Sequence, residues 1–232
     1  GNANDTLGVN NGTLQNGATF GTGMVGQAFS LDGVDDAITV PHNAVLNGTS
    51  GLTIDAWINP TTSTNVRPIV SKFGANGGYS FHATQLPTLN GLEFHIRDSG
   101  GIISNVITPA NAITTGVWQH VAATYDISGG GILRIYVNGT QVAQAFPPNS
   151  LSATTTDLAI GRNPVNGVAF NGSLDEIEIF SRALTVTEIA AIYNAGSTGK
   201  CTETPSISGT ITYGNAIGNP VPPRFVKNVS LS

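Results

Sequence analysis

Ile132-Leu133-Arg134-Ile135-Tyr136-Val137-Asn138-Gly139-Thr140-Gln141-Val142-Ala143-Gln144-Ala145-Phe146 decides the fold. Ile132–Val137 and Gln141–Phe146 are β-prone runs on either side of Asn138-Gly139. A two-residue type I′ turn needs positive φ at both central positions, so an Asn-Gly pair between such runs predicts a hairpin. The same reading extends outward. Leu52-Thr53-Ile54-Asp55-Ala56-Trp57-Ile58 alternates with period two. It puts Leu52, Ile54, Ala56 and Ile58 on one face and Thr53, Asp55 and Trp57 on the other. Val117–Asp126 is another long β-prone run, and further strands are predicted over 27–31, 36–40, 66–73, 78–84, 92–97, 102–107, 157–161 and 172–180. Short alternating runs punctuated by Gly, Asn, Pro and Thr predict an all-β, two-sheet antiparallel sandwich.

One short helix interrupts this pattern. Thr185-Val186-Thr187-Glu188 reads as a capping box, with Leu184 and Ile189 at the positions of a hydrophobic staple. Ile189, Ile192 and Tyr193 share a face, and Gly196 supplies the stop. The predicted domain spans 1–196. Residues 197–206 read as a linker, beginning Ser197-Thr198-Gly199-Lys200. Beyond it, Ile207-Ser208-Gly209-Thr210-Ile211-Thr212-Tyr213 alternates again. Two strands cannot bury a core alone, so 207–232 is expected to be the start of a second β module or a pair of docking strands.

Composition narrows the function classes. The 232 residues carry a formal net charge of -5, and only 10% are Asp, Glu, Lys or Arg. So few cations neutralise few phosphates, which argues against nucleic acid as a partner. Hydrophobic residues make up 40%, enough for a core, and no apolar run approaches the ~20 residues of a membrane span. Cys201 is the only cysteine, so it has no internal disulfide partner. The start at Gly1, without a leader, is what a processed or excised fragment would show. N-x-S/T triplets begin at Asn4, Asn11, Asn47, Asn138, Asn171 and Asn228, as an Asn/Thr/Gly-rich composition produces.

Several motifs in order resemble one family. They are Leu31-Asp32-Gly33-Val34-Asp35-Asp36, Thr53-Ile54-Asp55-Ala56-Trp57-Ile58, Trp118-Gln119-His120-Val121-Ala122-Ala123-Thr124-Tyr125-Asp126 and Tyr136-Val137-Asn138-Gly139. Ile160-Gly161-Arg162, Phe170-Asn171-Gly172-Ser173-Leu174-Asp175-Glu176-Ile177 and Phe180-Ser181-Arg182-Ala183-Leu184-Thr185 complete the set. Together, over about 1–196, they resemble the laminin-G-like (LamG-like) jelly-roll domains. The resemblance implies a concanavalin A-like jelly roll, an extracellular setting, carbohydrate or protein as ligand, and a structural Ca²⁺. The tail Ser208–Gly214 faintly resembles the first strand of an immunoglobulin-like module.

Candidate residues follow for each chemistry. Ca²⁺ takes six to eight oxygen ligands. Asp5, Asn11, Asp32, Asp36 and Asp175 stand at motif positions in a chain with only 14 acidic residues, and they form the candidate calcium set. The competing reading makes each a turn former that caps local amides. For a ligand, Trp57 shares a strand face with Asp55 and Thr53, which suggests a stacking platform, although a buried Trp is the commoner case in a sandwich. Tyr79, His82, His95 and Arg97 fall on strands expected to line a concave sheet face. The histidines, His42, His82, His95 and His120, are scattered without HExxH or Cys partners, which argues against zinc. Glu176 and Glu178 are two residues apart and so on one strand face, an admissible glycosidase pair. Phe180 stands where a third acid would be expected, so solvated carboxylates are the better reading.

The expectation is a non-catalytic, secreted or cell-surface binding or adhesion module of bacterial type within a longer chain. Glycan is its first-choice ligand and a surface protein the second. The alternative is a structural spacer or filament subunit that self-associates by β-addition of its tail strands. A glycoside hydrolase is the remote alternative.

Overall fold

The computed structural model describes residues 1–61, 66–84 and 89–199. Along the chain lie β1 (Thr13–Gln15), β2 (Thr19–Thr22), β3 (Gln27–Asp32), β4 (Ala37–Val40), β5 (Leu52–Pro60), β6 (Arg67–Gly74) and β7 (Gly77–Thr84). After them come β8 (Gly91–Arg97), β9 (Ile103–Ile107), β10 (Gln119–Asp126), β11 (Ile132–Val137), β12 (Thr140–Ala145), β13 (Leu158–Ile160), β14 (Asn171–Phe180) and the helix α1 (Val186–Ala195). They form two 7-stranded sheets. The first runs β1-β4-β13-β6-β7-β8-β9 and the second β12-β11-β10-β5-β14-β3-β2. Every pairing is antiparallel, as in a jelly-roll sandwich.

The expected hairpin forms at β11–β12, with φ of 49° at Asn138 and 75° at Gly139. The core lies between the sheets. Leu52, Ile54, Ala56 and Ile58 supply the inner face of β5 and are each 0% exposed. Opposite, the cross-strand row Val70, Phe81, Phe94 and Val106 supplies the inner face of the first sheet. Burial of each large side chain contributes about 1.5–3 kcal/mol, which selects this register over a one-residue slip.

The polar face of β5 is buried too. Thr53, Asp55 and Trp57 lie under a second apolar cluster of Ala122, Tyr136, Leu184 and Ile189. Helix α1 carries Ile189 over this face, and the Thr185–Glu188 capping box forms as expected. The helix rests on the hairpin turn. A Cβ at Gly139 would lie 3.2 Å from the Ala190 Cα, so the turn needs glycine for contact as well as for φ.

Two features depart from the sequence expectation. Strands β1 and β2 are additional, and β14 contains a β-bulge between Asp175 and Glu178, where Glu176 takes a φ of 48°. The later part of the expected linker, Cys201 and the β segment at 207–232 lie outside the described residues. Among the described residues no helix is long and apolar enough to cross a membrane.

Candidate binding site

Two of the expected ligand residues belong to the interior. Tyr79 is 0% exposed, and its hydroxyl donates to the Leu46 carbonyl at 2.7 Å. Burial pushes its phenol far above the ordinary value. Tyr79 pairs with Ile96 on the inward side of the pleat, so it fills the core instead of facing a ligand. Trp57 is 4% exposed and lies 5.8 Å from the Tyr193 ring of α1 and 5.6 Å from His120. The platform reading therefore fails, because the helix occupies the face on which a sugar would stack.

His82, His95 and Arg97 do share the outer face of the first sheet. The register sets His82 opposite Glu93, and His95 lies two residues further along β8. His82 Nε2 is 3.2 Å from Glu93 Oε2, and His95 Nε2 is 2.6 Å from Glu93 Oε1. The Asn105 amide on β9 donates to Glu93 Oε1. Burial alone would raise the Glu93 carboxyl, but hydrogen bonds from His82, His95 and Asn105 hold it well below the usual carboxylate range. For His82, burial lowers the imidazole against the pull of Glu93. Arg97 lies apart from this cluster. Its guanidinium stacks on Phe73 at 4.1 Å and donates to the Gly74 carbonyl.

Next to Arg97, three loops border an open pocket of about 430 Å³. His42 and Asn47 line it from the loop after β4, Asn76 from the β6–β7 turn, and Thr154, Thr155 and Thr156 from the segment before β13. Its walls are braced from below. Lys72 is 0% exposed, and its ammonium bonds His42 Nδ1 at 2.9 Å and the Thr156 carbonyl. Because the ammonium can only donate, Nδ1 accepts and the ring's proton sits on Nε2. Burial pulls the Lys72 pKa down, with Asp157 opposing. Asn47 Oδ1 accepts from the Thr154 amide, and the His42 amide donates to Asp157. The pocket is thus lined with hydroxyls, amides and an imidazole held in place by side-chain ties between loops, together with Ala75 and Ala153. Lys72 had no motif to announce it, because its role depends on loops 30 and 84 residues away.

The five candidate calcium ligands do not form one site. Asp5 and Asp175 both line a crevice of about 650 Å³ beneath the N-terminal segment. Their carboxylates hold backbone amides, those of Leu7, Val9 and Asn10 for Asp5 and those of Val25 and Glu176 for Asp175. Asn11 Oδ1 accepts from the Asp5 amide. These three residues organise turns. Asp32 and Asp36 do come together, and Asp35 joins them, each offering an oxygen within 4.8 Å of the others. Within the turn, Asp32 Oδ1 accepts from the Val34 amide and Asp36 Oδ2 from the Asp32 amide. Clustered hard carboxylate oxygens are nevertheless a donor type that fits Ca²⁺.

The bulge also removes the geometric basis of the Glu176/Glu178 pair. Asp175 pairs with Trp57 and Glu178 with Asp55, so Asp175 and Glu178 share a face and Glu176 is the inserted residue.

A two-sheet jelly roll with a pocket between its loops supports a binding module, as do the comparisons. The chain belongs to the concanavalin A-like lectin/glucanases superfamily, whose laminin-G model matches residues 32–190. Adhesion G-protein coupled receptor V1 of Danio rerio is 23% identical over 171 residues, which are 71% of this chain and 3% of that receptor. Among solved structures, domain 4 of AbnA, an extracellular GH43 arabinanase from Geobacillus stearothermophilus, was determined in complex with arabinotriose. It superposes with a TM-score of 0.66 at 20% identity, covering 82% of this chain and 92% of that one. The binding domain of Paraclostridial Mosquitocidal Protein 1 gives a TM-score of 0.66 at 19% identity, covering 82% of this chain and 48% of that one.

Proposed function

We propose that this chain is a non-catalytic, extracellular carbohydrate-binding module serving adhesion, with glycan in the loop pocket and a structural Ca²⁺ at the Asp32–Asp36 turn. The pocket at His42, Asn47, Asn76 and Thr154–Thr156 carries the reading. Sugars present hydroxyls that both donate and accept. A pocket built from Thr hydroxyls, Asn amides and an imidazole donor matches that pattern without charge. Pre-ordering through Lys72 and Asn47 lowers the entropy cost of closing the loops on a ligand. Ca²⁺ would bridge Asp32, Asp35 and Asp36 and fix the turn between β3 and β4.

A glycan array followed by isothermal titration tests the pocket. Asn76→Ala and Thr155→Val, both at exposed positions, are expected to weaken the identified sugar roughly fivefold each, the loss of one hydrogen bond. Absence of binding to every sugar in the presence of Ca²⁺ overturns the reading. Adding CaCl₂ to chelator-treated protein is expected to raise the melting temperature of the wild type and to leave that of Asp36→Asn unchanged.

A further inference from the structure

The scattered histidines of the sequence are partly gathered by the fold. We propose that His82, Glu93 and His95 form a binding site for a divalent first-row transition-metal ion of the zinc class. The site is independent of the loop pocket and of the Asp32–Asp36 turn.

Placement comes from the register of two strands. His82 on β7 stands opposite Glu93 on β8, and the period-two pleat returns His95 to the same face. One ligand atom from each residue lies within 4.8 Å of the other two. The Nε2–carboxylate separations are 3.2 Å and 2.6 Å. Zn–N and Zn–O bonds near 2.0–2.2 Å at tetrahedral angles set neighbouring ligand atoms about 3.3 Å apart, close to both histidine–carboxylate separations. The two imidazole rings meet edge to face at 4.8 Å between centroids, which leaves both Nε2 atoms directed at the carboxylate between them.

The donor set decides the class of ion. Two imidazoles and one carboxylate suit zinc, cobalt, nickel or copper, whereas Ca²⁺ and Mg²⁺ prefer oxygen alone. The carboxylate is oriented from outside, because Asn105 donates to Glu93 Oε1, the oxygen that faces His95, while Oε2 faces His82. In the hydrogen-bonded state each ring shares its Nε2 proton with Glu93. To ligate, each ring would offer its Nε2 lone pair and carry its proton on Nδ1. Access is also provided. The side chains of His82 and Glu93 are 6% and 10% exposed, while that of His95 is 21% exposed. A fourth coordination position therefore opens on the His95 side, where water or a group from a bound partner would complete the shell.

The test uses the chain after chelator treatment, titrated with ZnCl₂ by calorimetry and with CoCl₂ by visible absorption. One equivalent of Zn²⁺ per chain is expected to bind and raise the melting temperature, and Co²⁺ is expected to give ligand-field bands that Zn²⁺ displaces and Ca²⁺ does not. His95→Ala, at the most exposed ligand, and Glu93→Gln are each expected to weaken Zn²⁺ by more than about 100-fold, and Asn105→Ala by about 10-fold. Should Glu93→Gln fail to fold, His95→Ala decides alone. Lack of saturable one-to-one uptake by the wild type overturns the proposal and leaves a hydrogen-bonded triad only. Equal affinity in His95→Ala overturns it as well.

Discussion

On the outer face of the second sheet, His120 Nε2 lies 3.5 Å from Asp55, and both side chains are 0% exposed. On the outer face of the first sheet, Glu93 receives His82 and His95 at 3.2 Å and 2.6 Å, with His95 still 21% exposed. Both arrangements come from the same device, a histidine placed across an antiparallel ladder from an acid or one pleat beyond that position. They differ in what lies above. Over His120 and Asp55 pack Trp57, Tyr193 and the apolar side of α1, so the pair is sealed into a packing layer. Over Glu93 there is no helix among the described residues, and an edge of the cluster remains open to solvent. A histidine–carboxylate pair on a strand therefore acquires a structural or a binding role according to the cover the rest of the chain gives its face.

The most severe way to break that contrast is to damage the cover itself. Trp57→Ala removes the largest side chain between the second sheet and α1 and should cost about 3–5 kcal/mol in urea unfolding. A loss below about 1 kcal/mol would mean that the helix does not rest on Trp57. The next effect comes from the tether that leads into the helix. Thr53 Oγ1 donates to the Arg182 carbonyl and accepts from the buried Leu184 amide, both at 2.8 Å. Thr53→Val keeps the shape and strands both backbone groups, for an expected loss of about 1–3 kcal/mol. Zinc uptake at His82, Glu93 and His95 should persist in this variant, since that face does not depend on α1.

The contrast also shows what a sequence can carry. The alternation of Leu52–Ile58, the Asn138-Gly139 turn and the Thr185–Glu188 box are local signals, and each produced the element it announces. Strands β1 and β2 escaped because they are 3 and 4 residues long and offer too few apolar positions to show a period. The bulge at Glu176 escaped because it is defined by the partner strand's register and leaves no mark on its own run. The polar faces were the hardest to read. Trp57 looked solvent-facing because β5 alternates, yet the helix that covers it follows more than a hundred residues later. His82 and His95 were individually visible as candidates, but Glu93 was not, since its place depends on the pairing of β7 with β8. Asp5 and Asp175 carried family motifs whose carboxylates turned out to serve backbone amides. Short-range chemistry is thus legible, whereas the cover over a face is a property of the whole chain.

Weaker perturbations sharpen the comparison by loosening the cover without removing it. Thr185 accepts from the Glu188 amide at the start of α1. Thr185→Ala should cost about 1 kcal/mol of stability, the usual worth of an N-cap. Hydrogen exchange should rise in α1 and at Thr53–Trp57 before it rises in β7 and β8. If β7 and β8 loosen equally, the two faces are not independent units.

The smallest effect is electrostatic and has a defined sign. Glu188 accepts two bonds from the Arg182 guanidinium and one from the Thr185 amide. Arg182 first, and then the Thr185 amide and hydroxyl, pull its carboxyl from an ordinary 4.5 down to about 2. A carboxyl whose pKa is lower in the folded than in the unfolded chain adds stability that is complete above the unfolded value and disappears as pH falls through the folded one. The contribution of this box should therefore be intact above pH 4.5 and fade toward pH 2. Its size is limited because the pair is exposed and screened by salt. Trp57 fluorescence in a Trp118→Phe background reports the docking of α1 through the Tyr193 contact. The difference between this protein and its Glu188→Gln variant should change across that interval and flatten at high ionic strength. A difference that stays constant with pH would show that the cap is held by the Thr185 hydroxyl alone, and that the charge on Glu188 takes no part in keeping the second sheet covered.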